Sequence, residues 1–134
     1  WVAPTRRWIG LVPLGYGDGI LRAVSNKARV VVHTASGPFN APLIGRVCMD
    51  QFMVDLGPAQ ASPGTPTARS GQAPAAPGDT AILFGSGAGG EALADDWADA
   101  ASTINYEIVT HLGTHIPRTY RGHAALAQER NTHE

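Results

Sequence analysis

The segment Gly45-Arg46-Val47-Cys48-Met49-Asp50-Gln51 places a guanidinium, a thiol, a thioether and a carboxylate side by side. Upstream, Gly15-Tyr16-Gly17-Asp18-Gly19 holds a phenol and a second carboxylate between glycines. Neither segment is needed to build a core, and both put reactive or polar side chains where the hydrophobic pattern breaks. Together they mark a candidate ligand site.

Counting apolar positions around Met49 exposes the break. Leu43, Val47 and Met49 are odd-numbered, whereas Phe52, Val54 and Leu56 are even-numbered. One continuous strand would send these sets to opposite faces, so a turn or bulge is expected between about Cys48 and Gln51. Such a break leaves backbone N–H groups without a ladder partner, and those donors suit a carboxylate. The alternative is an ordinary hairpin turn with a core methionine and a buried cysteine.

The glycines around Tyr16 permit positive φ and hold a phenol at a strand end, but no helix pattern opens after them, so this is no phosphate fingerprint. A plain turn with a partly buried tyrosine is the alternative. Tyr106 falls in the first turn of a short helix, where N–H groups favour an anion such as phosphate; a packing or solvent-facing tyrosine is the alternative there. The histidines His33, His111, His115, His123 and His133 lack tight metal spacing, and with Cys48 as the only cysteine no metal site is expected.

The elements that must position these residues are mostly strands. Period-two or β-branched patterns predict strands at Trp8–Leu14, Arg29–Thr34, Pro42–Val47, Phe52–Leu56 and Thr80–Phe84, the second and third pairing as a hairpin. Between Gly57 and Gly78 the sequence turns to Pro, Ala, Gly, Ser and Thr, which predicts a mobile surface loop. From Ala92 the pattern becomes helical: Leu93, Trp97 and Ala100 or Ala101 oppose Asp95, Asp96 and Asp99. A second helix is expected to start from an N-cap at Ser102 or Thr103, with Ile104, Ile108 and Leu112 as its apolar stripe and Gly113 as its stop. The fold class is therefore mainly β: a compact, partly barrel-like domain over residues 1–123 with two short helices near the C-terminus, and a frayed tail at 124–134.

Composition excludes several classes. The 134 residues carry a net charge of -1 with scattered basic groups, giving no electrostatic case for nucleic acid or an anionic membrane. No apolar run reaches the roughly 20 residues of a membrane span. The lone cysteine excludes an internal disulfide and fits a reducing, cytoplasmic setting. The opening Trp1-Val2-Ala3 carries neither an initiator Met nor a signal-peptide pattern, so a piece of a longer protein is expected.

In series, Val12-Pro13-Leu14-Gly15-Tyr16-Gly17-Asp18-Gly19, Arg22, Pro42 to Gln51, Thr103-Ile104-Asn105-Tyr106-Glu107-Ile108, and Pro117-Arg118 with Tyr120 resemble the carboxy-terminal β domain of alanine racemase. These blocks occur in family order over nearly the whole chain apart from the Pro/Ala-rich loop. The resemblance implies a fold-type III pyridoxal 5'-phosphate isomerase that interconverts L- and D-alanine and supplies D-alanine for peptidoglycan. It further implies an amino-terminal (β/α)8 barrel as the partner domain and a head-to-tail homodimer, each β domain completing its partner's site. On that resemblance Met49 contacts the substrate carboxylate with Cys48 beside it, and Tyr106 binds the cofactor phosphate. Tyr16, Arg22, Arg46, Asp50 and Ile104 line the entryway, where Tyr16 and Tyr106 narrow the passage.

The departures from the family pattern bear on what the chain does alone. In the family that the chain resembles, the second catalytic base is a tyrosine in a Ser-Tyr-Gly type motif shortly before the segment that begins here at Trp1, and nothing here matches it. Lys27, the only lysine, sits in a polar turn rather than a desolvated pocket. No catalytic residue is therefore expected within these residues, and the isolated chain is expected to be inactive. Gly17 stands where alanine is common in the family, and His115 where a basic residue such as arginine is usual. A non-catalytic β module for binding or oligomerisation, or a racemase of broader specificity, are the alternatives.

Overall fold

Prolines and glycines decide where the strands stop. In the computed structural model, which describes residues 1–59 and 73–120, β1 (Arg7–Val12) ends at Pro13, which has no N–H to offer a ladder. The expected strand ran on to Leu14; instead the Leu14 N–H turns back to Val12 O at 2.9 Å. β2 (Arg29–Thr34) has the expected bounds.

β3 (Gly37–Ile44) begins five residues before the expected Pro42 and stops before Gly45. Its register with β2 runs from Thr34↔Gly37 to Arg29↔Pro42, so only Ala35 and Ser36 form the hairpin loop. The Ser36-Gly37-Pro38 run reads as a turn, but Gly37 at φ 113 closes the loop from within the strand. Pro38 and Pro42 remove two donors from β3, and β4 (Phe52–Pro58) joins it only at Leu43 and Ile44. β4 runs two residues past Leu56 into the expected loop, and its pairing with β1 shifts between Trp8 and Ile9. Asp55 secures that irregularity, accepting from Gly57 N–H at 2.9 Å and pairing with Arg7 Nε at 2.6 Å.

β5 (Thr80–Ile82) is shorter than expected and pairs with β2. All five strands form one antiparallel sheet in the order β1-β4-β3-β2-β5, curled as a half-barrel. The expectation of a mainly β, partly barrel-like fold with two late helices holds. The proposed boundary at 123, the tail 124–134 and residues 60–72 of the expected loop lie outside the described residues, as do His123 and His133.

The core gathers between the sheet and the two helices. Phe52, Leu43, Val24, Val30, Val47 and Val54 are its largest fully enclosed side chains, joined by Trp97 and Ala98 of α1 (Ala94–Ala101) and Ile108 of α2 (Asn105–Thr110). Trp97 meets Phe84 edge-to-face at 5.9 Å. At the start of α1 the Asp96 carboxylate accepts from the Leu93 N–H at 2.7 Å, and Asp95 and Asp96 sit in the first turn, as the acid placement predicts.

The start of α2 differs from expectation. Ser102 is consumed in ending α1, where it takes the left-handed conformation at φ 61. Thr103 then hydrogen-bonds the Glu107 carboxylate, and Ile104 occupies the N-cap with no side-chain cap. Being outside the helix, Ile104 is 65% exposed, so of the expected stripe only Ile108 is buried. The helix ends at Thr110, before Gly113 is reached.

Because Phe52 is fully enclosed while neighbouring Met53 faces outward, Phe52→Ala should lower unfolding stability by about 3–5 kcal/mol. Met53→Ala should cost less than about 1 kcal/mol. Urea denaturation of the two variants measures both; equal losses would contradict this placement of the core.

Candidate functional site

The Arg46 segment is pinned from one side by the turn that precedes β2. Gly45 leaves β3 at φ 70, its N–H donating to Asn26 Oδ1 at 2.7 Å, and Val47 N–H donates to Ser25 Oγ at 3.0 Å. Val47 is buried, so Arg46 projects to solvent between two fixed residues. Ser25 and Asn26 are thus positioning residues missed from the sequence. The only available signal was an asparagine in a polar turn, here at φ 62, where asparagine is tolerated.

Cys48 to Gln51 then forms the expected break, closed by Cys48 N–H donating to Gln51 O at 2.9 Å. Its carbonyls are received by the other motif: Tyr16 N–H donates to Cys48 O at 2.9 Å and Gly17 N–H to Met49 O at 2.8 Å. This contact demands glycine at position 15, where a Cβ would lie 2.3 Å from both the Cys48 and Met49 carbonyl oxygens. At Gly17 a Cβ would meet Met49 O at 3.1 Å, a tight but smaller conflict, consistent with the alanine expected of relatives there.

Asp18 ties the Tyr16 turn together. Its Oδ2 accepts from Gly15 N–H at 2.7 Å, its Oδ1 lies 2.8 Å from His115 Nε2, and its carbonyl accepts from Gly113 N–H at 2.9 Å. The hydrogen bond from His115, then that from Gly15, hold its carboxyl below the usual carboxylate range.

Around these contacts opens a depression of about 630 Å³ lined by Tyr16, Arg22, Arg46, Val47, Cys48 and Met49. Among the described residues two guanidinium groups and no carboxylate line it, so its field attracts anions. Tyr16 is 50% and Met49 54% exposed, and Cys48 is exposed as well. The alternative of a core methionine and a buried cysteine is thereby excluded. Among the described residues the N–H groups of Met49 and Asp50 have no hydrogen-bond acceptor. Asp50 lies across from Gly17, outside the lining.

Tyr106 and Ile104 stand elsewhere, exposed at the start of α2, and do not line the depression. The structure thus brings together five of the expected site residues, Tyr16, Arg22, Arg46, Cys48 and Met49, and leaves the α2 pair outside that lining. Lys27 is exposed in its turn, as the sequence predicts.

A sequence profile of the alanine racemase C-terminal domain matches residues 1–120. The chain belongs to the alanine racemase family, as its C-terminal domain. The alanine racemase of Mycolicibacterium vanbaalenii is 46% identical over 122 residues, covering 91% of this chain and 27% of that protein. That of Mycobacterium tuberculosis is 44% identical over 121 residues, again 27% of its length. The solved alanine racemase from Streptomyces coelicolor A3(2) superposes with a TM-score of 0.66 at 43% identity, over 87% of this chain and 26% of that one. The alanine racemase C-terminal domain described here therefore spans about a quarter of the relatives it matches.

If the close approach at Gly15 sets the site, Gly15→Ala should destabilise the domain by more than Gly45→Ala. At Gly45 a Cβ meets open space and only the positive φ is unfavourable, costing about 1–2 kcal/mol. Thermal unfolding of both variants ranks them; the reverse order would contradict the packing of the two motifs.

Proposed function

We propose that this domain forms the substrate-entry and carboxylate-binding half of a pyridoxal-phosphate-dependent alanine racemase that acts as a cytoplasmic homodimer with an amino-terminal barrel. The observation that carries this reading is the pairing of two N–H groups, at Met49 and Asp50, that have no partner among the described residues, with a depression lined by Arg22 and Arg46. Family membership and the match to racemases over nine-tenths of the chain support it.

Each residue's part follows from its position. Arg22 and Arg46 raise the local concentration of a small carboxylate. The Met49 N–H holds that carboxylate at the edge of the depression, fixing the α-carbon relative to groups supplied from elsewhere. The half-exposed Tyr16 ring narrows the mouth, excluding larger side chains, and Cys48 lines the wall beside Met49. Asp50 and Ile104 belong to the outer passage on this reading.

Pyridoxal phosphate, when bound, draws electrons from the substrate α-carbon and makes its hydrogen acidic. The residues of this chain fit one contact to that group. Tyr106, 73% exposed, offers a hydroxyl to a phosphate oxygen, whereas exposed Lys27 lacks the desolvated pocket that a cofactor lysine needs. Tyr106 lies outside the lining of the Met49 depression, and on this reading both serve one reaction in an assembly that brings each to barrel residues. Proton removal on one face and return on the other need two bases, and both are assigned to residues outside this chain.

The isolated chain should therefore leave L-alanine optically unchanged. Mixing it with the preceding barrel and tyrosine-containing segment should restore racemisation. Polarimetry or D-amino-acid oxidase coupling reads both results. Turnover by the chain alone, or none after complementation, would overturn the reading, the latter in favour of a non-catalytic module. In the intact enzyme, Tyr106→Phe should weaken cofactor retention by one hydrogen bond to a charged group, about 1.5–3 kcal/mol; unchanged retention in a dialysis assay would remove Tyr106 from the phosphate site.

A further inference from the structure

α2 carries Tyr106 but is only six residues long, and a helix that short is marginal on its own and takes its place from what it packs against. Its contacts therefore decide where Tyr106 stands. Ile104 at the N-cap offers no side-chain cap, and Ile108 alone within the helix is buried in the core. The exit from the helix is gripped through backbone. Gly113 N–H donates to Asp18 O at 2.9 Å, and the carbonyl of His111, the C-cap residue, lies against Gly19.

Gly19 closes the Tyr16 turn at φ 101, its N–H donating to Tyr16 O at 3.2 Å. A Cβ there would overlap the His111 carbonyl oxygen and lie 2.9 Å from Leu112 Cα. Both obstacles are backbone, so no change of rotamer makes room for a side chain at this position; the end of α2 has to move. Little space is left to absorb such a shift, because Gly19, Ile20, Leu21, Ile108 and Leu112 border a cavity of only about 10 Å³.

The same turn meets the Met49 segment through its earlier residues. Tyr16 N–H and Gly17 N–H donate to the Cys48 and Met49 carbonyls, and Gly15 leaves the room those carbonyls need. Within the turn, Asp18 N–H and Ile20 N–H both donate to Gly15 O, at 3.0 and 3.1 Å. Five consecutive residues, 15–19, thus touch both the turn that carries Met49 and the end of the helix that carries Tyr106. These contacts run from backbone to backbone.

We propose that Gly19 is a positioning residue: its lack of a side chain seats the end of α2 on the Tyr16 turn and so sets where the Tyr106 hydroxyl stands relative to the Met49 turn. The inference rests on the proposed phosphate contact of Tyr106 for its consequence in cofactor binding, but not for the coupling between turn and helix. Gly37→Ala is the control. It too places a methyl at a positive φ, 113, but a Cβ there meets nothing within 4 Å.

In the full-length enzyme, Gly19→Ala should lower cofactor retention on dialysis about tenfold, the size of one hydrogen bond to a charged group. Gly37→Ala should leave retention within about twofold of wild type. In a Tyr106→Phe background Gly19→Ala should cost little more, because the hydroxyl through which it acts is gone; a merely destabilising substitution would lower retention equally in both backgrounds. Hydrogen exchange read by mass spectrometry follows the coupling directly. The peptide containing the His111 amide, which donates to Glu107 O at 3.0 Å, should exchange faster in Gly19→Ala than in Gly37→Ala. Where Gly19→Ala does not fold, Gly113→Pro removes the donor to Asp18 O and should give the same pattern. Equal retention in Gly19→Ala and Gly37→Ala, full additivity with Tyr106→Phe, or unchanged exchange in α2 would overturn the proposal. Unchanged retention in Tyr106→Phe alone would count against the phosphate contact, and the exchange of α2 would still decide the coupling.

Discussion

Two loops from distant parts of the chain approach each other more closely than any side chain at position 15 would allow, and the candidate site is arranged around that approach. The carbonyls of Cys48 and Met49 occupy the space where a Gly15 Cβ would stand, 2.3 Å away. With those carbonyls turned toward Tyr16 and Gly17, the turn leaves the Met49 side chain exposed. The fold serves this contact on both sides: β1 and β4 are paired neighbours whose ends, Val12 and Phe52, lead directly into the two loops.

Backbone donors caught by small polar side chains add to apolar anchoring in holding the site. Ser25 and Asn26 hold the Arg46 segment, and Asp18 holds the tyrosine turn. Val47, Ile20 and Val24 send apolar anchors from beside the exposed residues into the core. Such an arrangement leaves Tyr16, Arg46, Cys48 and Met49 exposed while fixing the backbone that carries them, which is what a surface completing another domain's pocket requires.

Much of this was legible in the residue pattern, for identifiable reasons. The parity switch between Met49 and Phe52 located the turn because strand periodicity has no tolerance for a one-residue slip. The hairpin beginning at Gly37 was less legible, since Ser-Gly-Pro reads as a loop unless the positive φ of Gly37 is known. At α2 the local propensity of Ser102 and Thr103 for capping was overridden because Ser102 had already been used to end α1. The contact between Asp18 and His115 joins residues ninety-seven positions apart, and no local pattern encodes such a pairing. The resemblance to alanine racemases supplied roles for the exposed residues, whereas spacing alone left each of them with a plain structural alternative.

The central claim is that the Met49 turn receives the substrate carboxylate while the reactive groups lie outside this domain. A crystal structure of the full-length protein with a bound carboxylate inhibitor tests it most directly. The account predicts a carboxylate oxygen within hydrogen-bonding distance, about 3.2 Å or less, of the Met49 N–H, with the cofactor lysine contributed by another domain. A carboxylate held wholly by residues of that other domain, with the Met49 N–H facing solvent, would contradict it.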